Sequence, residues 1–141
     1  MKKRIIRFAK ENDISQIAKM ILQWSNWQRE RVTAIKSAIN DKNQEVLVAE
    51  MDGKTVEVLH QIFFQDILLG DWSCHVLFLL VDEKHRGKAV GSQLLGKAIA
   101  DAKKKGALEM HVDTIYKEAV EFYRKQGFKD DGVMLELALE D

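Results

Sequence analysis

The chain has 141 residues, and its 22 lysine and arginine residues balance 22 aspartate and glutamate residues, so its formal net charge is zero. A chain of this length suits one globular domain, residues 1–141, with a core of its own. Zero net charge gives no overall attraction to nucleic acid or to an anionic membrane, so we expect neither partner and any anion site must be local.

The sequence also lacks the signals of membrane or secreted proteins. No apolar run reaches the roughly 18 residues that a membrane span needs. The N-terminal sequence MKKRIIRFAKEND has no long apolar stretch typical of a signal peptide. A single cysteine, Cys74, can form neither an internal disulfide nor a multi-cysteine zinc site. These features predict a cytoplasmic protein.

The first half of the chain predicts a strand, two helices and a hairpin. Residues 4–10 are rich in apolar side chains and indicate a strand. Asp13 can cap a helix whose apolar residues recur at helical spacing. Residues 29–40 indicate a second, shorter helix. Within residues 45–64, two strand-like runs flank Asp52–Gly53, a dipeptide that favours a hairpin turn.

The second half predicts strands that alternate with helices. Residues 75–81, HVLFLLV, are apolar throughout, which is typical of a central strand covered on both faces. A helix follows and stops at Gly106. Residues 107–114 predict a strand, residues 116–127 a helix and residues 133–139 a last strand. The order β-α-α-β-β-β-α-β-α-β predicts an α/β (α+β) fold with a mixed sheet and helices on its faces.

The segment HRGKAVG, residues 85–91, places small residues and positive charge directly before a helix. The first turn of a helix has N–H groups without internal partners, and its dipole attracts anions. A phosphate can bind there, and small residues let the backbone come close to it. The segment therefore predicts an anion-binding turn. The alternative is a plain turn before a helix that packs on the sheet.

A neighbouring pattern is a poor match to a nucleotide site. Residues 91–98, GSQLLGKA, almost match the phosphate loop of nucleotide hydrolases. The last position is Ala98, which has no hydroxyl for magnesium. Leu94 and Leu95 belong to the apolar face of the predicted helix, so the segment should be helix rather than loop.

Two motifs resemble the GNAT N-acetyltransferase superfamily. The segment VDEKHRGKAVGSQLL resembles its acetyl-CoA-binding motif, [Arg/Gln]-x-x-[Gly/Ala]-x-[Gly/Ala], at Arg86, Ala89 and Gly91. A second motif, Asn-x-x-Ala-x-x-Phe-Tyr-x-x-x-Gly-Phe, resembles YKEAVEFYRKQGF. The matching positions in it are Ala119, Phe122, Tyr123, Gly127 and Phe128. The predicted order of elements resembles the family along nearly the whole chain.

Two positions depart from the family pattern. Ala89 stands where glycine is most frequent, and its methyl group would tighten the diphosphate site. Tyr116 stands where the family usually has an asparagine that contacts the cofactor arm. These two positions therefore differ from the family's usual cofactor contacts.

The resemblance implies a fold and a reaction. The fold is a central mixed, mostly antiparallel sheet flanked by helices. The reaction moves an acetyl group from acetyl-CoA to a primary amine by direct attack in a ternary complex. The acceptor is a small-molecule amine or a protein amine, no metal is required, and a homodimer is a common state of this fold.

The resemblance also implies where acetyl-CoA binds. The strand before the glycine turn would carry a bulge and diverge from the next parallel strand, and this leaves a slot for the pantetheine arm. The backbone of Leu79, Leu80 and Val81 would pair with that arm and supply the oxyanion donor. The alternative is an unbroken buried strand. The residues expected to hold the diphosphate are Arg86, Gly87, Lys88, Ala89, Val90, Gly91 and Ser92.

The chemistry needs a base and an acid. An alkyl amine with a pKa of about 10 must lose a proton before it attacks, and the departing thiolate must gain one. The resemblance implies Tyr123 as the acid, and the alternative is a core tyrosine with a satisfied hydroxyl. His75 is the candidate base, and the alternative is a histidine at a strand end facing solvent or a polar partner. Other candidates for the base are Asp82, Glu83, Glu30, Asp113 and a chain of water molecules.

Other reactive residues have simpler interpretations. Cys74 and His75 are adjacent on a strand and point to opposite faces, so they cannot form a nucleophile–base pair. We expect Cys74 to be a small buried thiol. His60, His75 and His111 lie on predicted strands, but their spacing matches no known metal motif. We therefore expect no metal site.

The acceptor would meet the N-terminal half of the chain. Trp24 and Trp27 lie between the first two predicted helices, a region that shapes the acceptor pocket in the family. The alternative is a packed apolar face. The loop at residues 64–72 would form the opposite rim or an oligomer contact, because its tip, residues 67–69, is apolar.

Two other functions compete with this interpretation. One is a non-catalytic acetyl-CoA sensor or interaction module with the same fold. The other is a nucleic-acid-binding domain that uses the basic turn, which zero net charge disfavours.

Overall fold

The computed structural model describes residues 4–27, 29–86 and 91–140. In these ranges the strands are β1 Arg4–Phe8, β2 Gln44–Met51, β3 Lys54–Asp66, β4 Asp71–Val81 and β5 Met110–Val112. The α-helices are α1 Ile14–Leu22, α2 Val32–Asn40, α3 Gly91–Lys105 and α4 Lys117–Lys125. Short 3₁₀ turns lie at Glu11–Asp13 and Glu83–His85. None of the helices described is long and apolar enough to cross a bilayer.

The five strands form one sheet in the order β1-β2-β3-β4-β5. Neighbouring strands are antiparallel except β4 and β5, which are parallel. The predicted mixed, mostly antiparallel sheet is therefore confirmed. The β4–β5 pairing is short, because it joins only Cys74–Val76 to Met110–Val112.

Helices cover both faces of the sheet. On one face, α1 and α2 pack through Ile17, Met20 and Ile35. On the other face, α3 and α4 pack through Leu94 and Tyr123. Burying one large aliphatic side chain contributes roughly 1.5–3 kcal/mol, so these two apolar layers supply much of the folding free energy.

A β-bulge interrupts β4 at Leu77. His60 of β3 pairs with Phe78, whereas the next residue, Gln61, pairs with Val76, so Leu77 is an extra residue in β4. An extra residue reverses the alternation of side chains. Val76 therefore packs against α3, while Phe78 packs against α1 and α2.

The predicted last strand, residues 133–139, is wrong. The segment has no regular secondary structure. Its alternating apolar side chains, Val133, Leu135, Leu137 and Leu139, are 81–92% exposed. Alternation specifies which side chains share a face of a strand, but it does not specify a partner strand, and β5 offers an edge of only three residues.

The hairpin between β3 and β4 is longer than the sequence indicates. β3 extends to Asp66 and β4 begins at Asp71, so the predicted loop at residues 64–72 shrinks to a tight turn. Gly70 has a φ of 73°, which suits glycine. Ile67 and Leu68 are each 97% exposed, and the predicted apolar tip is confirmed.

Asp13 ties β1 to the first helix and to β3. Its carboxylate accepts hydrogen bonds from Arg7 at 2.7 and 3.0 Å, from the Lys10 N–H at 2.7 Å and from the Thr55 hydroxyl at 2.9 Å. Burial raises the pKa of Asp13, but the hydrogen bonds from Arg7, Lys10 and Thr55 outweigh it and lower the pKa below 3.8. Asp13 occupies the N-cap position of α1 without bonding its N–H groups, so its predicted role as a cap is replaced by this network.

Asp13→Asn should lower the free energy of unfolding by about 3 kcal/mol, because it leaves the guanidinium of Arg7 without its closest charge. The lowered pKa means that this contribution is present above pH 3.8 and is lost as the pH falls below it. Urea denaturation at neutral and acidic pH measures both effects. Glu11→Gln is the matched control, because the exposed Lys36–Glu11 pair should contribute less than about 1 kcal/mol. Equal effects of the two substitutions would contradict this account.

Candidate active site

β4 and β5 separate just after they meet, and the gap between them defines the candidate site. Their pairing ends at Val76 of β4 and Val112 of β5. β4 continues to Val81 and has no partner strand on this side among the described residues. Beyond the bulge, the backbone groups of β4 that face away from β3 therefore have no strand partner among the described residues and can bond an extended ligand. The alternative of an unbroken buried strand is wrong.

The end of β4 is held by the C-terminal end of α1. The Gln23 amide donates to Asp82 Oδ1 at 3.0 Å and accepts from the Glu83 N–H at 3.1 Å. The hydrogen bond from Gln23 lowers the pKa of Asp82, with a further contribution from His85. A stable carboxylate bonded in this way orders the start of the β4–α3 connection. It is poorly suited to act as a base.

Arg86 and two aromatic residues form a corner at the mouth of the gap. The Arg86 guanidinium lies 4.1 Å from the centroid of the Trp24 ring, and its Nε donates to the Val81 carbonyl at 3.3 Å. Trp24 meets Tyr116 edge to face with 5.6 Å between ring centroids. The corner therefore joins a predicted cofactor residue to a predicted wall of the acceptor pocket. Trp27 lies outside it and is 61% exposed.

α3 begins at Gly91, next to the end of β4. A Cβ at Gly91 would meet Phe122 Cζ at 3.4 Å, and Glu57 Oε1 and Leu79 Cδ2 at 3.6 Å each. Glycine thus lets the first turn of α3 lie close above β3, β4 and α4. Four of the predicted diphosphate residues, 87–90, fall outside the described residues, as does the side chain of Ser92.

The side chains of the three predicted pantetheine residues divide between the two faces of the sheet. Leu79 packs against the cluster under α3, and Leu80 packs against the cluster under α1 and α2. Val81 is partly buried and accepts the hydrogen bond from Arg86. These side chains hold the strand in place and leave its backbone to face the gap.

Tyr123 lies in the apolar cluster on the α3 side of the sheet. It is 7% exposed and packs edge to face against Phe122 and Phe128, with ring centroids 5.1 and 5.4 Å away. No described residue accepts a hydrogen bond from its hydroxyl. Burial raises the pKa of Tyr123 to about 12. The hydroxyl therefore keeps its proton at neutral pH and can donate it.

His75 lies on the opposite face from Tyr123, because its neighbour Val76 faces the Tyr123 cluster. His75 Nε2 lies 3.0 Å from Asp113 Oδ2. His75 is also paired in register with His111 of β5. His75 therefore has a polar partner, as the alternative to a catalytic role expects. The Asp113 carboxylate could equally orient the ring of a catalytic base.

Two further predicted candidates have structural roles. Glu30 accepts a hydrogen bond from the Thr33 N–H at 2.9 Å, and this bond lowers the pKa of Glu30. It therefore caps the start of α2. Cys74 is fully buried, its Sγ donates to Gln61 Oε1 at 3.3 Å, and burial raises its pKa to about 12. A thiol in this state is not a nucleophile at neutral pH.

The histidines do not share one environment. His60 bonds Gln44 at 2.7 Å and packs against Phe78. His111 lies 3.2 Å from Glu109 and 3.8 Å from Asp131, and these three residues could hold a metal ion. Ion pairing accounts for the same arrangement, and the absence of a metal site stays a prediction.

Sequence analysis missed Glu57 of β3. Its side chain is fully buried, and within the described part of the chain neither carboxylate oxygen has a hydrogen-bond partner. Burial raises its pKa to about 7, and the charge of Arg4 opposes this shift. The available signal was an acidic residue inside the apolar strand run TVEVL.

The family of this chain follows from a comparison with family models. The acetyltransferase (GNAT) family model matches residues 9–128. The chain therefore belongs to the GNAT acetyltransferase family. A curated relative, an uncharacterized N-acetyltransferase from Methanocaldococcus jannaschii, is 40% identical over 58 residues. That match covers 40% of this chain and 26% of the relative.

Solved structures share the fold along nearly the whole chain. A transcriptional regulator from Bacillus halodurans C-125 is 29% identical, with a TM-score of 0.85 over 97% of this chain and 100% of its own. Glucosamine-6-phosphate N-acetyltransferase from Arabidopsis thaliana is 16% identical, with a TM-score of 0.86 over 98% and 99% of the two chains. An aminoglycoside acetyltransferase from an uncultured soil sample is 20% identical, with a TM-score of 0.80 over 97% of each chain.

Glu57→Gln should change how stability depends on pH. The folded-state pKa of about 7 lies above the ordinary value of 4.5. Ionisation of Glu57 therefore opposes folding. The free energy of unfolding falls as the pH rises from 4.5 to above about 7. Relative to wild type, the variant should gain about 1–3 kcal/mol between about pH 5 and pH 8. Chemical denaturation at both pH values measures this gain.

Glu83→Gln, at an exposed site, is the control and should show no comparable gain. If the free energy of unfolding of Glu57→Gln changed with pH as it does in wild type, Glu57 would not be a buried carboxyl group that resists ionisation.

Proposed function

We propose that this protein is an acyltransferase that moves an acetyl group from acetyl-CoA to a primary amine by direct attack in a ternary complex. The observation that carries the proposal is the divergence of β4 from β5 immediately after the bulge at Leu77, beside the start of α3. This arrangement offers unpaired backbone and a helix N-terminus next to each other. The amides in the pantetheine arm of acetyl-CoA can bond the unpaired backbone, and its diphosphate can bind at the helix N-terminus.

Acetyl-CoA fits the groups that are available. The backbone of Leu79, Leu80 and Val81 would bond the amides of the pantetheine arm, because β4 has no partner strand on that side. Gly91 and Arg86 would contribute to the diphosphate site together with residues 87–90. When bound, acetyl-CoA supplies the activated acetyl group and a thiolate leaving group.

Tyr123 would protonate the thiolate as the carbon–sulfur bond breaks. Its position beneath the start of the gap supports this role, and its hydroxyl carries a proton at neutral pH. A backbone N–H of β4 near Leu79 would stabilise the negative charge that develops on the carbonyl oxygen. The proton balance then requires a base for the incoming ammonium.

His75 is the proposed base. Asp113 lies 3.0 Å from its Nε2 and would favour one ring orientation, leaving Nδ1 to accept the amine proton directly or through water. The incoming amine would approach from the face that carries His75, whereas Tyr123 acts from the other face. The gap between β4 and β5 would connect the two faces, so both residues could act on substrates bound there.

The acceptor is a small-molecule or protein amine. Trp24 and Tyr116 would line its approach, since they meet at the mouth of the gap. The names of the fold neighbours include acetyltransferases of an amino sugar phosphate and of aminoglycosides, but identities of 16% and 20% relate those proteins to this one by fold alone. We further propose that the enzyme works in the cytoplasm without a metal, as a homodimer.

A second candidate function is a non-catalytic acetyl-CoA sensor. One observation favours it: the neighbour with 29% identity is described as a transcriptional regulator. A sensor would keep the cofactor site and would not need Tyr123 as an acid.

A thermal-shift titration tests the cofactor site. Acetyl-CoA and CoA should each raise Tm, because a ligand at 100 times its Kd adds roughly 2.7 kcal/mol to the native state. A gain of that size corresponds to an increase of several degrees. ATP, which has phosphates but no pantetheine arm, is the comparator and should give a much smaller shift. No shift at millimolar acetyl-CoA would contradict the proposal.

Tyr123→Phe separates the enzyme from the sensor. Removing a general acid should lower kcat by about 100-fold or more, while the ring keeps its packing and CoA affinity stays the same. Steady-state kinetics and a binding titration measure the two quantities. Tyr116→Phe removes the other tyrosine hydroxyl of the chain and should affect KM rather than kcat. An unchanged kcat in Tyr123→Phe would show that Tyr123 is not the acid.

A further inference from the structure

Glu57 is an unusual residue for the interior of this protein. It lies near the start of β3, has no exposed surface, and neither oxygen of its carboxyl group has a hydrogen-bond partner among the described residues. A buried carboxylate without partners is costly. A buried neutral carboxyl costs less but still lacks a partner for its O–H. In either charge state, the carboxyl group therefore lacks a hydrogen-bond partner among the described residues.

The carboxyl group lies against the start of α3. Glu57 Oε1 is 3.6 Å from the point where a Cβ of Gly91 would stand, and Leu79 and Phe122 surround the same point. α3 is 15 residues long, so its dipole places positive potential at the end that begins with Gly91. Glu57 thus places a potential negative charge beneath the helix end that would receive the diphosphate.

Few other charges act on Glu57. Of the described residues, Arg4 of β1 is the charged side chain that influences it, and Arg4 Nε is itself buried without a partner. Another nitrogen of Arg4 donates to Gln93 Oε1 of α3 at 3.1 Å. The residues that α3, β4 and α4 place around the carboxyl group, Gly91, Leu79 and Phe122, do not titrate.

We propose that Glu57 is a positioning residue of the cofactor site and takes up a proton when the diphosphate of coenzyme A binds at the first turn of α3. This inference rests on the cofactor site proposed above. Without ligand, an ionised Glu57 serves as the anion for the helix end and for Arg4. With the diphosphate in place, a second negative charge there is unfavourable, so the neutral form is preferred and its O–H can donate.

The direction of the coupling follows from the charges. Burial already raises the pKa of Glu57 to about 7 in the free protein, so both charge states are populated near neutral pH. A nearby anion raises the pKa further. By linkage, the affinity for the diphosphate must then fall as the pH rises above neutrality, by up to about tenfold per pH unit.

Calorimetry with dephospho-CoA tests the inference. This ligand keeps the diphosphate and the pantetheine arm but lacks the 3′-phosphate, whose own titration near pH 6 would obscure the result. Titrations at about pH 7.5 in buffers with different ionisation enthalpies count the protons exchanged on binding. Wild type should take up a substantial fraction of one proton per ligand, and Glu57→Gln should lose that uptake and bind with an affinity that varies less with pH.

Glu45→Gln is the matched control. Burial raises the pKa of Glu45 in β2 to about 7 as well. Glu45 is only partly buried, however, and its carboxylate accepts a hydrogen bond from Gln61 at 2.9 Å and is influenced by Asp101, farther along α3. Its substitution should leave the proton uptake at the wild-type value. If Glu57→Gln fails to fold, difference infrared spectra of wild type can test the proton uptake instead. Adding dephospho-CoA should then produce a new band from a protonated carboxyl group.

The outcomes separate the inference from the proposed function. Binding by wild type without proton uptake, or with equal uptake in Glu57→Gln, overturns the role of Glu57 and leaves the cofactor site intact. No binding of dephospho-CoA, CoA or acetyl-CoA at any pH overturns both. Uptake that disappears only in Glu57→Gln supports the inference.

Discussion

The bulge at Leu77 is the constraint on which the site depends. One extra residue in β4 reverses which side chains face α3, and beyond it β4 no longer runs beside β5. The apolar clusters on the two faces make this arrangement stable, because Leu79 packs into one and Leu80 into the other. The strand is therefore fixed by its side chains while its backbone edge stays open. A regular β4 paired along its full length with a longer β5 would have no such edge.

Electrostatics complements this geometry. The start of α3 lies beside the open edge, with Arg86 at the mouth of the gap and Glu57 beneath the first turn. The helix dipole and Arg86 favour an anion, whereas an ionised Glu57 opposes one. Tyr123 and His75 lie on opposite faces of the sheet, so a reaction that uses both must take place in the gap between the strands.

Much of the fold and part of the site could be predicted from sequence. The apolar run at residues 75–81 and the motif around Arg86 indicated the central strand and the helix after it, because local patterns set these elements. The family resemblance implied a bulge in this strand, but the residues alone could not place it at Leu77, since its position depends on register with β3. The lack of a hydrogen-bond partner for Glu57 among the described residues could not be predicted either, because its surroundings come from β1, β4, α3 and α4. The expected strand at residues 133–139 failed because alternation carries no information about a partner.

The central claim is that the open edge of β4 and the first turn of α3 form one binding site for coenzyme A. The most direct measurement is a two-dimensional amide NMR titration with CoA. The account predicts that the largest shifts fall on the backbone amides of residues 77–81 and of Gly91, with small shifts on β1 and β2. Shifts confined to other surfaces, or a saturating titration that leaves the β4 amides unchanged, would contradict it.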